Sequence, residues 1–156
     1  MIVALGICCD GRKTVLGLRE GATENATVVG ELLSDLLGRG LDFSTPRLYI
    51  LDGGKALHAA VRRHAGEAAF IQRCQVHKKR NVLDHLPEEH KAGVRRKLQN
   101  AYAMREYEPA RRALAQLQHE LMDLNPSAAR SLQEGMEETL TVHRRGFPVQ
   151  LRRTMA

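Results

Sequence analysis

Arg47-Leu48-Tyr49-Ile50-Leu51-Asp52-Gly53-Gly54 is a short, nearly unbroken apolar run that stops at an acid and two glycines. Such a run suits a strand covered on both faces, and Asp-Gly-Gly punctuates a sharp turn. A helix is expected next, over residues 55–64, and then a strand over 68–72. Upstream, Ile2–Ile7 is β-branched and aliphatic and residues 13–18 include Thr14, Val15 and Leu16, so both are expected as strands, with Asp10-Gly11 between them as a hairpin signal, because glycine tolerates positive φ. A helix is expected from Thr23, capped by Thr or Asn, with Val28, Val29, Leu32, Leu33, Leu36 and Leu37 as one apolar stripe ended by Gly38 and Gly40.

After Cys74 the apolar period becomes helical and stays so. One helix is expected over 75–85, stopping before Pro87, and another follows Glu88 with Val94, Leu98 and Ala101 inward. A third carries Ala110, Ala113, Leu114, Leu117, Leu121 and Leu124 at three-and-four spacing, and a fourth starts at Pro126-Ser127 and runs towards Leu140. Strands first and helices later imply an α/β fold, a sheet core followed by an all-helical addition, with a boundary between 1–86 and 87–156.

The 156 residues suffice for one ordinary domain. No segment approaches the ~20 apolar residues of a membrane span, and Met1-Ile-Val-Ala-Leu-Gly-Ile lacks the basic start of a signal peptide. Three cysteines, two of them adjacent at Cys8-Cys9, argue against a disulfide framework and for a reducing, cytoplasmic setting. Net charge is +6, which points to an anionic partner. Between Arg62 and Lys97 stand ten lysines and arginines against four acids, an excess equal to that of the whole chain. A second basic cluster, Arg144, Arg145, Arg152 and Arg153, has no acid near it, and the partner is therefore read as a polyanion. Aromatics make up only 4% of residues, which argues against reading single strands by base stacking.

Asp52 sits where open α/β sheets gather function, just past a strand and just before a helix. A carboxylate there can bind a hard cation such as Mg²⁺, or can simply cap the helix or form an Asx-turn. Cys74-x-x-His77 has half the spacing of a structural zinc site, which needs four ligands, and no second pair has proper spacing. Its other reading is a buried thiol beside a polar helix start. His77-Lys78-Lys79-Arg80-Asn81 then opens a helix that can grip phosphates or can be a solvated face. Asp10 is accounted for by the hairpin, and Glu134, Glu137 and Glu138 by a solvated helix face.

The order Leu48-Tyr-Ile-Leu-Asp52-Gly-Gly-Lys-Ala-Leu57, then Gln72-Arg-Cys74-Gln-Val-His77-Lys-Lys-Arg80-Asn81-Val82, resembles the mutator-type transposases of bacterial insertion sequences. Leu16-Gly-Leu-Arg-Glu-Gly-Ala-Thr-Glu-Asn25 and Gly146-Phe-Pro-x-x-Leu-Arg-Arg153 are similar to that family as well. The resemblance implies a ribonuclease H-like mixed sheet, partial in this chain, over 1–86, and a helical insertion over 87–156. It implies metal-dependent DNA cleavage and strand transfer with Mg²⁺ or Mn²⁺ in the complete enzyme, zinc not being expected. Asp52 matches the second of three metal-binding carboxylates; the first is expected before Met1 and the third, a glutamate, after Ala156. Arg73, His77, Lys78, Lys79, Arg80, Asn81, Arg144 and Arg145 are expected on DNA, at insertion-sequence ends and target, with a second copy of the chain as the other partner. The alternative is a truncated, non-catalytic fragment that binds DNA or dimerises.

Overall fold

The hairpin forms where Asp10-Gly11 calls for it. In the computed structural model, which describes residues 1–8, 10–21 and 25–147, β1 (Ile2–Ile7) and β2 (Lys13–Arg19) pair antiparallel. Gly11 takes φ +84°, and Asp10 closes the turn by accepting from the Arg12 backbone N–H at 2.9 Å and from Arg12 Nε at 2.8 Å. The register shifts between Ala4 and Leu5, leaving Leu16 unpaired as a bulge in β2. Beyond it, Gly17 lies so close to the next helix that a Cβ there would stand 2.8 Å from Leu32 Cδ1. That helix, α1 (Ala26–Gly38), is capped by Asn25, whose side chain accepts from Thr27 N–H at 2.9 Å. Thr23 lies outside the described residues.

Val29, Leu32, Leu33 and Leu36 of α1 are buried, at the i, i+3, i+4, i+7 spacing of one helix face. Leu37 falls off that face and is exposed. β3 (Arg47–Leu51) leads through Asp52 to α2 (Lys55–Ala65), which packs on α1. Gly66 ends α2 with φ +49°, and Arg62 reaches past it to donate to the carbonyls of Gly66 and Ala69, both at 3.1 Å. Only Leu51 of β3 is fully buried and Ile50 is exposed, so β3 is not the doubly covered strand that its composition implied.

β3 pairs with β4 (Ala69–Arg73) in a second two-stranded sheet. The chain is thus mixed α/β, but its described strands form two small sheets rather than one mixed sheet. Each hairpin strand keeps an unpaired edge, and Val3, Leu5, Val15 and Leu18 of β1 and β2 are exposed. The compact units divide between Phe70 and Ile71, inside β4. The helix after β4 belongs with the later helices because its buried face packs on two of them.

In the second unit, α3 (Gln75–Leu83), α4 (Glu88–Ala103), α5 (Tyr107–Leu124) and α6 (Pro126–Gln133) pack as α3 on α4 and α6, and α5 on α4 and α6. Val82, Leu98, Leu114, Leu121, Ala128 and Leu132 are central to the apolar core they share. Pro87 opens α4, and Glu88 and Glu89 in its first turn suit the positive end of the helix dipole. Asn125 joins α5 to α6: its Oδ1 accepts from Ser127 and Ala128 N–H, and its Nδ2 donates to His85 O at 2.7 Å. The fourth helix stops at Gln133 instead of running on to Leu140. Gly135 adopts φ +65°, and two short helices, α7 (Met136–Thr139) and α8 (Thr141–Arg144), follow. Gly135 is also crowded, since a Cβ there would lie 2.9 Å from Arg73 Cδ.

Candidate functional site

Asp52 leaves the end of β3 and is exposed. Its Oδ1 accepts from Gly54 N–H at 3.0 Å, an Asx-turn that directs the chain into α2, and Gly53 supplies the φ of +105° the turn requires. The turn role and an accessible carboxylate therefore coexist. Among the described residues no three His, Cys, Asp or Glu side chains gather closely enough to hold a metal ion, so Asp52 does not build a cation site with other described residues.

The basic segment after β4 divides into two sets of side chains. Arg73 is mostly buried: its guanidinium meets Glu134 at Oε1, 3.3 Å, and at the backbone carbonyl, 3.5 Å. Lys78 is 1% exposed, and its ammonium donates to the carbonyls of Ser131 at 2.6 Å and Glu134 at 2.5 Å. Burial, with the charge of Arg73, lowers its pKa to about 8 against the opposing pull of Glu134 and Glu138. The Lys78 ammonium, expected on DNA phosphates, faces inward and ties α3 to the end of α6. Lys78 shares a helix face with Val82, four residues on, and both are buried. Glu134 is correspondingly the partner of Arg73 and Lys78 rather than a purely solvated acid.

His77, Arg80 and Asn81 of α3 are exposed, and Lys79 is half-buried. His77 Nδ1 stands 3.2 Å from Cys74 Sγ, so the Cys-x-x-His pair is a local contact at the start of α3. Arg144 and Arg145 are exposed at the end of α8, whereas Arg152 and Arg153 lie outside the described residues. Nearby, Glu137 accepts from Tyr107 Oη at 2.5 Å and Arg111 Nε at 3.1 Å, and the first of these bonds leads in lowering its pKa. Lys91 and Arg95 were counted in the basic window without a role. Their spacing of four residues is the signal that puts both on one face of α4.

The exposed cations, the strand-end carboxylate and the α/β plan with appended helices define the class to which the chain is compared. The profile described as "Transposase, Mutator family" matches residues 1–156, and the chain belongs to that family. It is 33% identical over 144 residues to the transposase for insertion sequence element ISRM5 of Rhizobium meliloti (strain 1021), covering 92% of this chain and 35% of that protein. It is 29% identical over 150 residues to the transposase for element IST2 of Acidithiobacillus ferrooxidans, covering 96% of this chain and 49% of that protein. The chain thus spans between about a third and half of these relatives' length. No helix among the described residues is long and apolar enough to cross a membrane.

Proposed function

We propose that this chain is part of the catalytic core of a DNA transposase, with Asp52 as one carboxylate ligand of a divalent cation, Mg²⁺ or Mn²⁺. The observation that carries the reading is the exposed carboxylate of Asp52 at a strand end, within a segment matched along its whole length by a transposase family. The described residues do not complete a metal site, and the remaining ligands are proposed to lie outside the described residues. Cations of this kind, when bound, polarise phosphodiesters and activate an attacking oxygen. What the chain itself does is hold one carboxylate in a fixed turn and present cations to DNA. His77, Lys79, Arg80, Asn81, Arg144 and Arg145 are the proposed phosphate contacts, and the two small sheets are proposed as pieces of a ribonuclease H-like core.

A second reading, favoured by the exposed cations Arg80, Arg144 and Arg145, is a segment that binds DNA without cutting it. The two separate in a transposase-length protein that contains this segment. There Asp52→Asn abolishes metal-dependent strand cleavage and leaves DNA binding within twofold. A variant that cleaves as fast as the parent overturns the catalytic reading.

A further inference from the structure

A groove of about 280 Å³ lies between α3 and α4. Lys79 and Arg80 line it from α3 and Asp84 from just past the end of that helix, and Lys91, Arg95 and Gln99 line it from α4, over an apolar base that includes Leu83. Four cations thus face one acid in a single cleft. Lys91 meets Glu88 at 3.0 Å, but that glutamate is highly exposed, so the pair is loosely held. Among the described residues Lys79, Arg80 and Arg95 form no ion pair. Residues 91, 95 and 99 step up one face of α4 with a rise of about 6 Å each. The phosphates of one DNA strand advance about 3.4 Å each along the duplex axis, so Lys91 and Arg95 span about two of them.

The occupant this cleft fits is a polyanion held by its backbone. Its lining contains no aromatic side chain, so it offers unstacked bases no platform. Gln99 adds a neutral donor, and the fork of Arg95 can take two oxygens of one phosphate. We propose that the α3–α4 groove seats the sugar–phosphate backbone of duplex DNA, with Lys79, Arg80, Lys91 and Arg95 on successive phosphates and Asp84 opposing the approach. The inference rests on the DNA reading above and adds to it a place and a mode of binding that is blind to sequence.

The test is fluorescence anisotropy of the 156-residue chain with a random-sequence 30-base-pair duplex, titrated from low to moderate salt. Lys91→Gln combined with Arg95→Gln lowers the slope of log affinity against log salt by about 2, because about two released counterions are lost. Asp84→Asn tightens binding severalfold, while Arg112→Gln on the exposed face of α5 leaves the slope unchanged. Wild-type-like binding by the double variant, alongside unaltered binding by Asp84→Asn, overturns the groove and leaves the DNA reading intact. Failure of the wild-type chain to bind the duplex at low salt overturns both. Displacement of the duplex by an equal nucleotide concentration of oligo-dT overturns the duplex assignment.

Discussion

Gln72 offers the sharpest test of how β4 is joined to the helices that follow. It is 1% exposed, and its amide makes three bonds: Nε2 donates to Thr139 O at 2.7 Å and to Arg73 O at 2.8 Å, and Oε1 accepts from Val142 N–H at 3.0 Å. Leucine fills nearly the same space and makes none of them. Thr139 O would keep Gln75 Nε2 at 2.9 Å, so little is lost there. Val142 is different, because it is fully buried and its N–H lies in the first turn of α8, where a helix supplies no acceptor. An orphaned buried N–H costs about 1–3 kcal/mol, and the weakened Arg73 carbonyl adds to it. Gln72→Leu is therefore expected to destabilise by about 2–4 kcal/mol, or about 5–10 °C in Tm for a chain of this size. Urea unfolding followed by circular dichroism reads this as a lower midpoint at constant slope. Gln72→Glu sets a carboxylate against two carbonyl oxygens, which raises its folded pKa. Its deficit relative to wild type must then shrink on going from pH 7 to pH 4. A loss below about 0.5 kcal/mol in Gln72→Leu, less than one satisfied hydrogen bond is worth, refutes the reasoning.

Two further perturbations follow from buried chemistry and from empty space. Lys78 holds its proton less tightly folded than unfolded, so the unfolded chain binds more protons between about pH 8 and 10.5 and stability rises with pH across that window. The full shift corresponds to about 3 kcal/mol at most. Above pH 10 Tyr102 works in the opposite direction, since burial raises it to about 12. Lys78→Met should abolish the rise between pH 8 and 10, and parallel profiles for the two proteins in urea would contradict this. Gly93 lies inside α4 with nothing within 4 Å of where a Cβ would stand. Gly93→Ala is expected to raise stability by about 0.5–1 kcal/mol through lost unfolded-state freedom, read as a higher Tm.

Local chemistry made much of the fold legible. Asp10-Gly11 is a turn by its own torsions, Asn25 is a cap by its own side chain, and the stripe expected from Ala110 to Leu124 matches the face that α5 buries at Ala110, Leu114, Leu117 and Leu121 but not at Leu124, which is exposed. Asp52 was legible both as a turn former and as a carboxylate at a strand end, and the structure keeps both properties. What stayed hidden depends on partners far along the chain. Within His77-Lys78-Lys79-Arg80-Asn81, nothing local separates Lys78 from its neighbours. Only the carbonyls of Ser131 and Glu134, more than fifty residues later, make one of those cations internal. The break after Gln133 has the same origin. A glycine inside an apolar period is tolerated in a helix, but Gly135 takes φ +65°, outside the helical region, with Arg73 packed against it. The sequence does not mark Lys91 and Arg95 as companions of Lys79 and Arg80, because only the packing of α3 on α4 brings the two pairs together.

The most direct test of the account replaces Asp52 by a softer ligand in a transposase-length protein that contains this segment. Mg²⁺ takes hard oxygen donors and keeps its waters, whereas a thiolate is a soft donor that transition ions accept more readily. If Asp52 binds the cation directly, Asp52→Cys cleaves DNA poorly in Mg²⁺ and recovers selectively in Mn²⁺, beyond any effect of Mn²⁺ on the parent. If Asp52 serves only the turn with Gly54, Asp52→Cys changes cleavage to the same extent in Mg²⁺ and Mn²⁺ and shows no metal preference of its own.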